Sequence, residues 1–106
     1  MNRFIRKSYK LYKTENYETW FAEQTHKEQV QVAERLSKIE TEGYFGEHKL
    51  LGSFIWELKW KNGRRIYYAY LAELDILLIL GGNKNGQDKD ISKAKGILKK
   101  YAYIKT

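Results

Sequence analysis

Basic residues in the middle of this sequence are spaced to hold phosphate. Lys59 and Arg65 flank Asn62-Gly63, a turn signal that places them on two neighbouring strands. Lys49, Lys84 and Lys89 can join them in a cationic cleft at one end of a sheet. Lysine and arginine bind phosphate oxygens through charge-assisted hydrogen bonds and stabilise the added charge of an in-line phosphorane. The same residues equally describe a solvated face whose edge lysines deter strand association. Gly81-Gly82-Asn83-Lys84 follows an apolar run and precedes a helix. It reads as a backbone that approaches a phosphate, with Lys84 as counter-charge, or as a plain strand-to-helix turn. Trp20, Trp56, Trp60, Tyr67 and Tyr68 can stack on bases or fill a core or an interface.

Other chemistries lack their residues. Cysteine is absent, which removes disulfides, thiolate nucleophiles and Cys-based zinc sites. His26 and His48 are 22 residues apart and have no carboxylate partner at ligand spacing, so neither a metal nor a cofactor is expected. Neither a G-x-x-x-x-G-K-[ST] loop nor a G-x-S-x-G elbow occurs.

The elements that would carry the cleft follow from pattern. Residues 8–13 suit a strand. Thr14 or Asn16 can cap a helix in which Tyr17, Trp20 and Phe21 share one face. A second helix runs from about 27 to 42, with Val32, Leu36 and Ile39 as its stripe and Gly43 as terminator. Residues 44–52 read as a loop. Strands are expected over 55–60, 65–71 and 76–80, the last wholly apolar and ended by Gly81-Gly82. After a polar loop, Asp88 or Asp90 caps a last helix. The order β-α-α-β-β-β-α is an α+β arrangement.

At 106 residues and 12.7 kDa the chain is expected to form one domain over 1–106. Its mean hydropathy is −0.70, and its longest aliphatic run has five residues, too short to cross a membrane. Arginines and lysines crowd the start in place of a secretory h-region, so a cytoplasmic protein is expected. The net charge is +7, yet residues 1–47 net zero, while residues 48–68 carry +4 and residues 84–106 carry +5. Such asymmetry points to a polyanionic partner, nucleic acid or acidic protein. Lys93, Lys95, Lys99, Lys100 and Lys105 serve such contacts or complement a helix C-terminus.

Four stretches carry a family resemblance: Gly43-Tyr-Phe-Gly-Glu-His-Lys-Leu-Leu, Trp56-Glu-Leu-Lys, Arg65-Ile-Tyr-Tyr, and the run from Leu80-Gly-Gly-Asn-Lys to Lys95. The sequence resembles the RelE/ParE superfamily of bacterial toxins, in particular its HigB-like branch of phage-derived addiction-module killer proteins. The resemblance implies two N-terminal helices packed on a curved, mostly antiparallel sheet, with a C-terminal helix. It implies a toxin of a type II toxin–antitoxin pair that cleaves mRNA on the ribosome without a metal. The partner would be a HigA-like antitoxin with a helix-turn-helix domain, through which alone operator DNA is bound. No membrane partner is implied. Arg65 matches the arginine that binds the scissile phosphate, and Lys84 the basic residue that stabilises the transition state. Lys49 and Lys59 fall at further cationic positions, and Arg64 and Lys89 extend the RNA-binding set. The chain departs from the family at the start of the last helix. Gln87-Asp88-Lys89-Asp90 has neither the tyrosine nor the histidine that some relatives use as acid or base. His48, Lys49 and Asp88 remain three candidates for that role. A ParE-like inhibitor of DNA gyrase and a non-catalytic basic RNA- or protein-binding module are the alternatives.

Overall fold

The computed structural model describes the backbone of residues 7–105 and the side chains of residues 7–101. β1 (Lys10–Lys13) leads to α1 (Glu15–Ala22) and α2 (His26–Glu42). β2 (His48–Gly52), β3 (Ile55–Lys59), β4 (Arg64–Ala72) and β5 (Asp75–Asn83) follow. A 3-10 turn at Lys84–Gly86 then opens α3 (Gln87–Lys105). The sheet order is β1-β5-β4-β3-β2. β1 runs parallel to β5, and the other pairs are antiparallel. This is the expected α+β class, with one strand more than the expected order.

Local chemistry explains the boundaries. The Thr14 hydroxyl accepts from the Tyr17 amide at 2.9 Å and donates to the Ile79 carbonyl at 2.6 Å. One side chain thus starts α1 and ties it to β5. Thr25 and Glu28 form a reciprocal capping box at the head of α2. Gly43 ends α2 in the left-handed conformation at φ 67°.

The sheet has two covered faces. On one, Tyr17, Val32, Leu36 and Ile39 of the helix pair pack on Leu58, Ile66, Tyr68, Ile76 and Leu78. On the other, α3 brings Ala94, with Ile91, Ile97 and Leu98, onto Ile55, Tyr67, Ala69, Leu77 and Ile79. β5 is covered on both faces, which is why its sequence is a continuous apolar run.

Three expectations need correction. Residues 44–52 are not all loop, because β2 pairs there as an edge strand against β3. Its His48, Lys49 and Leu50 are exposed, so it lacks the apolar alternation that marks a strand. β5 does not stop at Gly81-Gly82 but continues to Asn83. Both glycines are occupied by neighbours: the Trp20 indole lies against Gly81, and the Asp90 carboxylate lies against Gly82. The last helix is not capped by Asp88 or Asp90. It starts at Gln87, and the Asn83 side chain caps the preceding 3-10 turn by accepting from the Asn85 amide at 2.9 Å.

The seat of Trp20 gives a test of this packing. A methyl group at Gly81 meets the indole, and overpacking of this kind costs about 1–3 kcal/mol. Gly81→Ala is expected to lower the urea midpoint without changing the m-value. An unchanged midpoint would mean that Trp20 does not sit against Gly81.

Candidate active site

Cross-strand register decides which charged residues meet. Lys49 lies opposite Glu57, and Glu57 lies opposite Tyr67. Two residue pairs along the ladder, past Leu58–Ile66, Lys59 lies opposite Arg65, and Arg65 lies opposite Gly82. Directly opposed residues of antiparallel strands share a face. These two rungs therefore place Lys49, Glu57, Tyr67, Lys59 and Arg65 on the face covered by α3. Lys84, in the 3-10 turn, lies at the end of these strands, its aliphatic stem beside Gly63 in the β3–β4 turn.

Glu57 is at the centre and has no exposed surface. Its Oε2 lies 3.4 Å from Arg65 Nε and accepts from Gln87 Nε2 at 2.7 Å. The arginine contact is an ion pair without hydrogen-bond alignment, since Arg65 Nε has no hydrogen-bond partner. Arg65 is itself buried, and its Nη1 donates to the Gly63 carbonyl at 3.2 Å. Glu57 Oε1 and Tyr67 Oη are also buried without hydrogen-bond partners among the described residues. Burial pushes the Tyr67 phenol well above its usual range, and Glu57 and Asp90 push it further. Asp90, over Gly82, is held above the usual carboxylate range by burial, against the pull of Lys93 and Lys89. The first turn of α3 therefore closes over a polar cluster that the two rungs assemble.

The cations differ in availability. Lys59 is paired with Glu47 at 3.5 Å and Arg65 with Glu57, whereas no ion pair among the described residues engages Lys49 or Lys84. Lys89 and Asp88 are exposed on the first turn of α3.

Two of the sequence candidates lie elsewhere. Arg64 points to the helix-pair face, where it meets Gln31 at 3.2 Å, Glu28 at 3.8 Å and the Trp60 ring. It ties β4 to α2 and stands apart from the other cations. His48 also belongs to that face, stacked between Phe45 and Trp56, with Nδ1 3.0 Å from Tyr68 Oη. Burial, aided by Arg35, holds its pKa below the ordinary histidine value. The sheet thus separates His48 from the Glu57 cluster.

Four residues were missed by sequence reasoning: Glu57, Gln87, Asp90 in this role, and Arg35. Glu57 had a signal, since it shares strand parity with buried Ile55 and is the one acid among five cations in residues 48–68. Arg35 had none. Its guanidinium donates to the carbonyls of Phe45, Glu47 and Lys59 and stacks 4.4 Å from the Trp60 ring centre. From the far face it clamps β2 to the end of β3, which sets the positions of Lys49 and Lys59.

The fold is similar to a solved one. A crystal structure of the isolated RelE toxin of E. coli aligns with a TM-score of 0.61 over 81% of this chain and 98% of that chain, at 16% identity. A protein of Haemophilus influenzae described as uncharacterized is 28% identical over 85 residues, which is 77% of this chain and 85% of the relative. No family model matches the chain.

The depressed His48 pKa predicts a pH effect. Its folded value lies below its unfolded value of ~6.5, so the unfolded chain takes up the proton first. Stability contributed by neutral His48 is present above that pH and is lost as pH falls through the histidine range. Thermal melts between pH 7.5 and 5.5 should show a larger drop for the wild type than for His48→Gln. Equal drops would show that His48 is not held neutral against Tyr68.

Proposed function

We propose that this chain is a toxin of a type II toxin–antitoxin pair that cleaves mRNA on the ribosome without a metal, as a HigB-like member of the RelE/ParE superfamily. One observation carries the reading: a buried carboxylate paired with an arginine, with Lys49 and Lys59 on the same sheet face and Lys84 beside the β3–β4 turn. The likeness of the fold to the RelE toxin supports it.

The chemistry follows from these groups. The RNA supplies its own nucleophile, the 2′-hydroxyl. Glu57 accepts that proton at Oε1, which no protein donor occupies. The 2′-oxygen attacks the adjacent phosphorus, and the bond to the 5′-oxygen breaks. Arg65, Lys59 and Lys84 carry the extra negative charge of the phosphorane. The products are a 2′,3′-cyclic phosphate and a 5′-hydroxyl. Since Glu57 has no exposed surface, RNA must displace the Gln87 contact to reach it. Lys49 and Lys89 line the approach. The partners are a HigA-like antitoxin that carries the DNA-binding domain, the ribosome and mRNA, and the compartment is the cytoplasm.

The closed, charge-compensated state of Arg65 favours a second reading, a basic binding module without catalysis. Induced expression separates the two. Growth arrest with cuts in mRNA, mapped by primer extension, is the expected result. Glu57→Gln and Arg65→Ala, each checked for folding by circular dichroism, are expected to slow cleavage by about 10²–10⁴-fold. Growth without arrest would support the binding module. Arrest with intact mRNA and an SOS response would support the ParE-like gyrase inhibitor. Undiminished cutting by a folded Arg65→Ala protein would remove this site.

A further inference from the structure

Cleavage as proposed above leaves the departing 5′-oxygen in need of a proton, and the groups already assigned do not supply one. His48 is on the other face of the sheet, bonded to Tyr68. Asp88 is exposed on the first turn of α3. Lys49 stands on the edge strand, on the far side of Glu57 from β4.

We infer that Tyr67 is the proton donor to the leaving 5′-oxygen. The inference rests on the RNA-cleaving reading of this same site. Tyr67 lies directly across the ladder from Glu57, two residue pairs from the Lys59–Arg65 rung and on the same face. It has no exposed surface, yet its hydroxyl has no hydrogen-bond partner among the described residues. Nor has Glu57 Oε1, the acceptor beside it on the same rung. A buried donor and a buried acceptor left open on adjacent residues are costly to maintain unless something else uses them. A phosphodiester supplies both needs at once, a hydroxyl to give up a proton and a leaving oxygen to receive one.

The field at the phenol fits the role. Glu57, Asp90 and Asp88 oppose its ionisation, and Arg65 only partly offsets them. Tyr67 therefore stays protonated near neutral pH and loses its proton only to a strong base. The 5′-alkoxide that forms as the P–O5′ bond breaks is such a base.

The step balances. The 2′-hydroxyl proton passes to Glu57 as the 2′-oxygen bonds to phosphorus. The electron pair of the breaking P–O5′ bond goes to the 5′-oxygen, which takes the phenolic proton. Tyrosinate and protonated Glu57 then face each other across one rung. Transfer of the proton between them restores both groups without any other reactant.

A substrate with a good leaving group tests the assignment. The probe is a short model mRNA programmed on ribosomes, with the scissile 5′-oxygen replaced by sulfur, cleaved under single-turnover conditions. A thiolate departs without a proton, so it bypasses a missing general acid. Tyr67→Phe is expected to cut the natural RNA about 10²–10⁴-fold more slowly than wild type, and the sulfur RNA within about tenfold of wild type. Three results overturn the inference while leaving the cleavage reading intact. These are wild-type rates for Tyr67→Phe on natural RNA, slowing on both substrates, and sulfur rescue of Asp90→Asn in place of Tyr67→Phe. A wild-type protein that cuts neither RNA overturns the cleavage reading, and the role of Tyr67 with it.

Discussion

A carboxylate without exposed surface constrains much of this molecule. Glu57 sits in the middle of a sheet, between β2 and β4, under a helix. An ionised group there is tolerable only with a counter-charge and a donor. Arg65 brings the charge from β4, and Gln87 brings the donor from α3. Meeting both demands fixes two things that the apolar contacts alone leave loose. The register of β3 on β4 cannot slip by one residue, because Glu57 would turn to the helix-pair face and lose both partners. The first turn of α3 must dock where its amide reaches the carboxylate. Removing one member of such a buried pair typically costs ~3–5 kcal/mol.

The two faces of the sheet divide the labour. The helix-pair face is aromatic and apolar, with Phe45, His48, Trp56 and Tyr68 each stacked on two of the others. Its cations, half-buried Arg35 and buried Arg64, are engaged with carbonyls, an ion pair and the Trp60 ring. The α3 face holds the polar cluster. Neighbouring arginines of one strand thus do unrelated work: Arg64 fastens a helix, and Arg65 holds a carboxylate. Strand alternation alone accounts for the difference.

That alternation also shows how far the sequence could be read. The α1 and α2 positions, the Asn62-Gly63 turn and the apolar β5 were legible, since each has a local cause in spacing or turn chemistry. Strand register puts Lys49, Lys59 and Arg65 on one sheet face, and the Lys84 stem lies beside Gly63. β2 was illegible, because an exposed edge strand has no buried face to imprint a pattern. Glu57 was passed over because a lone acid in a basic strand reads as solvent-facing until register puts Arg65 beside it. Arg35 binds backbone carbonyls 10, 12 and 24 residues away, and backbone acceptors leave no mark in a sequence.

The parallel pairing of β1 with β5 has a consequence for synthesis. Lys10 aligns with Asp75, so the first strand has no partner until the ribosome has passed Asp75 in a chain of 106 residues. The Thr14 hydroxyl waits for the Ile79 carbonyl, 65 residues on. Closing so long a loop raises the contact order and slows the final step of folding. No proline isomerisation adds to that delay, since the chain has no proline. Gln87 emerges later still, and only then can Glu57 acquire its roof. A nascent chain that stops short of β5 therefore holds α1, α2 and the Glu57, Arg65 and Tyr67 residues but lacks the Gln87 contact that closes over them.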